Sequence, residues 1–198
     1  MTRDEQRART RTDLLTAAAT VFARNGYHGT SVDMVAESAG YTKGAVYSNF
    51  ESKEALFLAL LDERVQDTLC SIQTVMDESP PEERARAFGR RRDEIASWEP
   101  EWFLLEAEFE LYAARNPAVR DRVSARQKET LDVVVTNVQR FVDELGLTPA
   151  YPLDQIARLI VAAGDGISLM ALNSPDTTDT GELMRILLEV ITKGATVD

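Results

Sequence analysis

From Tyr41 to Asn49 the sequence gathers Tyr41, Thr42, Lys43, Tyr47, Ser48 and Asn49, a run of hydroxyls, one ammonium and one amide with no carboxylate among them. Side chains that donate hydrogen bonds are what phosphate oxygens and the acceptor-bearing edges of bases require. Gly44 and Ala45, set inside the run, lack bulk and let a backbone come close to another surface. Catalytic chemistry finds far less to work with. There is one histidine, His28, and one cysteine, Cys70, with no Cys/His cluster for zinc, no glycine-rich phosphate loop and no assignable Ser-His-Asp set. The expectation is a binding protein that is not an enzyme and needs no metal or cofactor.

The elements that must position these donors read as helices. Arg7 to Arg24 carries Leu14, Leu15, Ala18, Val21 and Phe22 at helical spacing and ends at Asn25-Gly26. Thr30 is the expected N-cap of a short helix, with Asp33 three residues on and a stop at Ala39-Gly40. Thr42 caps a second short helix to about Asn49, and Ser52 caps a long one from Lys53 to Met76. Val32, Val35, Ala36, Ala45, Val46 and Phe50 supply the buried side of the short pair. Two short helices joined through Gly40-Tyr41 meet the requirement of a helix-turn-helix, which presents its second helix to the DNA major groove.

Charge is divided along the chain in the same sense. The net charge is −11, yet residues 1–53 hold seven basic and six acidic side chains, while the rest holds 15 and 27. A polyanion is tolerated at the N-terminal end and repelled elsewhere. Arg3, Arg7, Arg9 and Arg11 form either a further phosphate or minor-groove contact or a frayed, solvated end. No apolar run approaches the roughly 20 residues of a membrane span, and the charged first ten residues do not read as a secretory signal. A lone cysteine suits a reducing cytoplasm.

The stretch TSVDMVAESAGYTKGAVYSNFESKEALF, with AAATVFARNGYHGTSV before it, closely resembles the DNA-binding signature of the TetR (tetracycline repressor) family. Thr-Ser, Ala-Gly, Thr-Lys-Gly, Tyr-x-x-Phe and Ser-Lys-Glu stand in the family's order and spacing over about the first 68 residues; Asn49 replaces the family's frequent His. The resemblance implies an all-α protein of about nine helices. Its helix-turn-helix domain would span 8–68 (helix-turn-helix about 31–50), and a larger helical effector-binding and dimerisation domain 69–198. It also implies roles. Thr42, Lys43, Gly44 and Ala45 approach base edges, Tyr47 donates to a phosphate, Tyr41, Thr30 and Ser31 flank it, and Lys53 clamps a phosphate on the neighbouring strand.

The function implied is a transcriptional regulator, a repressor released from a palindromic operator by a small molecule; the alternative is an activator or an effector-independent regulator of the same fold. Family members act on double-stranded DNA as homodimers through their last two helices. Independently, Ala162, Ala163, Gly164 and Gly166 make a small-residue patch, with Ile167 and Met170 beside it. Leu183, Ile186, Leu187 and Val190 give the last helix an apolar face that pairs either between subunits or within one. Residues 98–112 are the expected effector site. There Glu106 and Glu110, flanked by Trp98, Trp102, Phe103 and Phe109, can receive a flat cation, or instead pair with Arg90, Arg91 or Arg92. Phe88, Asn137 and Asp165 are further candidates of that kind.

Overall fold

The computed structural model describes residues 2–95, 100–174 and 176–194. Among them it has nine α-helices and no strand, as the periodicity predicts. In chain order these are α1 (Arg3–Gly29), α2 (Val32–Ala39), α3 (Lys43–Asn49), α4 (Lys53–Glu78) and α5 (Arg84–Ile95), the last preceded by a 3-10 turn at Pro81–Glu83. Then come α6 (Pro100–Arg115), α7 (Pro117–Leu145), α8 (Leu153–Asn173) and α9 (Thr180–Gly194). The helices fall into two compact units, Met1–Gln66 with Glu101–Asp121, and Asp67–Pro100 with Arg122–Asp198.

In the first unit α1 starts four residues earlier than its apolar pattern suggests. The Thr2 hydroxyl accepts from the Glu5 amide at 3.2 Å while the Glu5 carboxylate accepts from the Thr2 amide at 2.7 Å. This reciprocal cap satisfies two amides that would otherwise lack partners and makes the arginine-bearing N-terminus the opening turns of a helix rather than a frayed end. The helix breaks at Gly26, whose φ of 70° is open to glycine at little cost. Phe22, Tyr27, Phe57, Phe109 and Tyr112 then build a continuous aromatic core, with ring centroids 4.5–6.0 Å apart. Such edge and offset arrangements add to simple burial. Helix α6 lies in this unit by burying Trp102, Leu105, Phe109 and Ala113, although the sequence expectation assigns everything from residue 69 to the second domain.

The second unit packs α5 tightly on α9. A Cβ on Gly89 would stand 2.8 Å from the Gly181 carbonyl oxygen, so only glycine fits that crossing. Its other anchor is the buried Arg84, which donates to the carbonyls of Met76 (2.8 Å) and Ser79 (3.2 Å) and pairs with Glu144. Arg140 joins the same cluster, 2.6 Å from Asp77 and 2.8 Å from Glu144. Hydrogen bonds from Gln73 and Arg140 hold the Asp77 carboxyl below its ordinary range, and those from Arg84 and Arg140 do the same for Glu144. Helix α7 stops where predicted, at Gly146 with φ 62°.

Candidate nucleic-acid interface

The α2–α3 pair is set by its caps. Ser31, not Thr30, is the N-cap of α2, its hydroxyl accepting from the Met34 amide at 3.3 Å. Thr30 is buried and donates its hydroxyl to the Gly26 carbonyl at 2.8 Å, so it ties the α1 break to the next helix. Gly40, at φ 71°, ends α2 by donating to Ala36 and Glu37, and Tyr41 donates its amide to Ala36 at 2.9 Å. Thr42 then caps α3, accepting from the Ala45 amide at 3.2 Å. Val32, Val35, Ala36, Val46 and Phe50 are buried beneath, as expected.

Above that core, Ser31, Thr42, Lys43, Gly44, Tyr47 and Ser48 are exposed, while Ala45 and Asn49 are half-buried. Tyr47 is 48% exposed, far more than a packing aromatic needs. A Cβ on Gly44 would meet only the Thr42 hydroxyl, at 3.8 Å, so the start of α3 is open to close approach. Ser48 and Asn49 donate to the Ala45 carbonyl at 2.8 and 2.9 Å. Lys43 reaches Asp33 of α2, 2.7 Å away. The face offers hydroxyls, an amide and an ammonium above an apolar floor, the composition that contacts to phosphates and base edges require.

Three residues expected at this face are engaged inside the unit. The Lys53 ammonium donates to the carbonyls of Tyr27 (2.9 Å) and Thr30 (3.0 Å) and lies 4.4 Å from the Tyr27 ring centroid. It closes the end of α1, where its charge meets orphan carbonyls, and has at most one donor left for a phosphate. The Tyr41 hydroxyl donates to Asp13 of α1 at 2.8 Å, and Thr30 is the buried tie already described. Arg11 behaves alike, stacked 4.4 Å from the Phe50 ring centroid and donating to the Asn49 carbonyl at 3.4 Å. These side chains hold the face from behind.

Glu108 of α6 is the residue that sequence reasoning missed. Its two carboxylate oxygens accept the amides of Tyr27 (2.8 Å) and His28 (3.1 Å), just past the Gly26 break. A Cβ on Gly26 would stand 2.8 Å from one of those oxygens. Its partners are backbone groups some 80 residues away, so spacing on α6 alone shows only a carboxylate on a polar face.

The expected effector residues are dispersed. Trp102 and Phe109 are core side chains of the first unit, packed on Phe57, with the Arg64 guanidinium 4.8 Å from the Trp102 centroid. Phe103 and Glu106 are half-buried, Glu110 is exposed, and Trp98 lies outside the described residues. In the second unit Phe88 is half-buried, Asn137 donates to its own helix at Val133 (3.0 Å), and Asp165 is exposed on α8.

The residues expected at a subunit interface line one outer side of α8 and α9. Ala162, Gly166, Met170, Ile186 and Val190 are exposed, and Ala163, Ile167, Leu183 and Leu187 are half-buried. Leu159 and Leu169 extend the exposed strip, Leu159 being 63% exposed, whereas Gly164 turns inward. A Cβ at Gly166 would meet nothing within 4 Å. Helix α8 is the one described helix long and apolar enough to cross a membrane, with a mean hydropathy of 1.4 over its best window.

The family model described as bacterial regulatory proteins of the tetR family matches residues 14–60, which covers α2, α3 and the adjoining parts of α1 and α4. The chain is 28% identical over 179 residues to the HTH-type transcriptional repressor AcnR of Corynebacterium diphtheriae, covering 89% of this chain and 87% of that one. Its fold superposes on a transcriptional regulator from Mesorhizobium loti assigned to the TetR family, with a TM-score of 0.76, 21% identity and full coverage of both chains. FadR of Bacillus subtilis, solved in complex with stearoyl-CoA, matches with a TM-score of 0.75 at 18% identity, over 92% of this chain and 98% of that one. Residues 14–60 thus carry the N-terminal domain of the tetR family of bacterial regulatory proteins, and the succession of helices behind it has the fold of TetR-type structures.

Proposed function

We propose that the chain is a repressor that binds a two-fold symmetric operator as a homodimer and is released by a small molecule. The observation that carries the DNA-binding half is the outer side of α3. Its donors stand exposed while the residues behind them are fixed by Lys53, Tyr41, Thr30 and Glu108. Thr42, Lys43, Gly44 and Ala45 meet base edges, Tyr47 and Ser31 meet phosphate, and Ser48 and Asn49 lie at the border of the contact. Pre-positioned donors of this kind gain specificity without ordering side chains at the moment of binding.

Dimerisation is supported by the apolar strip on α8 and α9. Leu159, Leu169, Met170, Ile186 and Val190 are large side chains left in water, and Gly166 between them admits a close helix–helix approach. Asp154, Arg158 and Asp165 also lie exposed on α8, which suits a partner protein better than lipid. One recognition helix reads too few base pairs for adequate specificity, so two heads per operator are needed. The repressor AcnR, a relative over most of its length, favours repression over activation. FadR with stearoyl-CoA is a precedent on the same fold for a small-molecule effector, for which Phe103 and Glu106 are the candidate residues. A protein working on operator DNA resides in the cytoplasm.

Fluorescence-anisotropy titration of duplexes from upstream of the chain's own gene, at several salt concentrations, tests this reading. The expected result is nanomolar-range affinity for one duplex, at least ~1,000-fold tighter than for scrambled DNA, and loss of that binding with a small molecule found by screening. Equal affinity for all duplexes contradicts it.

A further inference from the structure

We propose that Asp33 and Lys43 act together as a single reader of one G·C base pair in each half-site, Lys43 donating to guanine and Asp33 accepting from cytosine. The inference deepens the DNA-binding reading above and rests on it. Asp33 stands in the first turn of α2 and Lys43 opens α3, yet their charged ends meet 2.7 Å apart, with 62% and 53% of the two side chains exposed. The pair lies beside Thr42 and Gly44, where nothing bulky hinders approach.

Charge argues against the simpler role for Lys43. An ammonium in direct contact with a carboxylate has no net charge to offer, and a phosphate brought up to it would meet Asp33 as well. What the pair offers is a donor next to an acceptor at fixed spacing. The major-groove edge of a G·C pair is the complement: guanine presents the acceptors O6 and N7, and cytosine presents the N4 amino donor. O6 and N4 are hydrogen-bonded to each other, hence about 2.9–3.0 Å apart, which matches the spacing of the Lys43 nitrogen and the Asp33 oxygen. Placing one pair on the other gives two parallel hydrogen bonds and leaves the Lys43–Asp33 contact intact. A C·G pair in the same place sets donor against donor and acceptor against acceptor, and an A·T pair reverses the sense in the same way. A T·A pair presents thymine O4 and adenine N6 in the same order, so the two bonds alone read orientation; guanine N7, a second acceptor for Lys43 where thymine carries its C5 methyl, selects G·C over T·A. The contact also keeps both long side chains in place before DNA arrives, though an exposed pair of this kind adds little to stability.

The test is selection from a randomised duplex library by the full-length protein, by Asp33→Ala and by Lys43→Ala. Circular dichroism confirms that each variant keeps its helicity. The wild type is expected to select a G·C pair at one fixed position per half-site. Inverting that pair alone should weaken wild-type binding by about 5- to 100-fold, a measurement that needs no variant. Each variant should lose the preference at that position and keep it at the others. A wild-type site with no oriented G·C position overturns the proposal. So does a change that is uniform over all sequences in either variant: weaker everywhere for Lys43→Ala marks a phosphate contact, and tighter everywhere for Asp33→Ala marks simple repulsion. A wild type that selects no sequence at all brings down the DNA-binding reading itself.

Discussion

The outer side of α3 and the outer side of the α8–α9 pair are both exposed, and they are opposite in chemistry. The first shows Thr42, Lys43, Tyr47 and Ser48 over an apolar floor; the second shows Leu159, Leu169, Met170, Ile186 and Val190 over an equally apolar floor. A side chain is left in water at little cost when it is polar, so exposure of the α3 face alone is unremarkable; what distinguishes it is the freedom from bulk at Gly44 and the rigidity beneath. Large apolar side chains left exposed do carry a cost, which the proposed second copy of the chain would remove. On the proposed reading, the first face takes a polyanion and the second a like protein surface.

The largest effect is expected behind the α3 face, where the Gly26 break meets Glu108. Gly26→Ala combines left-handed strain with a Cβ 2.8 Å from the Glu108 carboxylate, and should lower stability by about 2–4 kcal/mol in urea unfolding. Adding Glu108→Ala should cost less than its effect in the native background, because beside Gly26→Ala it also relieves the clash. Simple additivity would mean that the two residues do not act on each other.

At the second face, Val190→Glu places a charge in the proposed subunit contact. It should raise the dimer Kd at least ~100-fold in sedimentation velocity while leaving unfolding of the chain little changed. An unaltered dimer would move the interface elsewhere. Tyr47→Phe tests the first face with one atom removed, and should weaken operator binding about 5- to 10-fold, evenly across sequences and without effect on dimerisation.

The smallest effect is in how the second unit is tied together. Asp77 and Glu144 have folded pKa values held below their ordinary range by hydrogen bonds from Gln73 and Arg84 respectively, with Arg140 on both. Groups depressed in this way contribute stability above the ordinary carboxylate range, and that contribution disappears as pH falls through the folded values. Urea midpoints should therefore drop below about pH 4, and Arg140→Leu should make the drop shallower.

How much of this was legible in the sequence depended on distance along the chain. Helix periodicity, the Thr42 cap, the Gly40 and Gly146 stops and the apolar floor under α3 are local, and the residues alone indicate them. The Thr2–Glu5 cap was equally local and was obscured only because the apolar stripe begins later, at Leu14. Thr30 and Lys53 could not be placed, since a hydroxyl or ammonium beside the expected DNA face looks the same in sequence whether it faces out or caps a carbonyl. The aromatics of α6 are ambiguous in sequence for a related reason. Trp102 and Phe109 have the period of any buried stripe, and only the fold reveals that Phe57 and Tyr27 are their partners.

A hydroxyl-radical footprint on the operator tests the central claim most directly, because it reports both faces at once. Two heads joined through α8 and α9 should protect two equivalent patches related by a dyad, with centres on the order of 34–36 Å apart or a small multiple of it. A single asymmetric patch, or uniform protection along the duplex, would contradict the assignment of DNA to α3 and of a second copy to α8–α9.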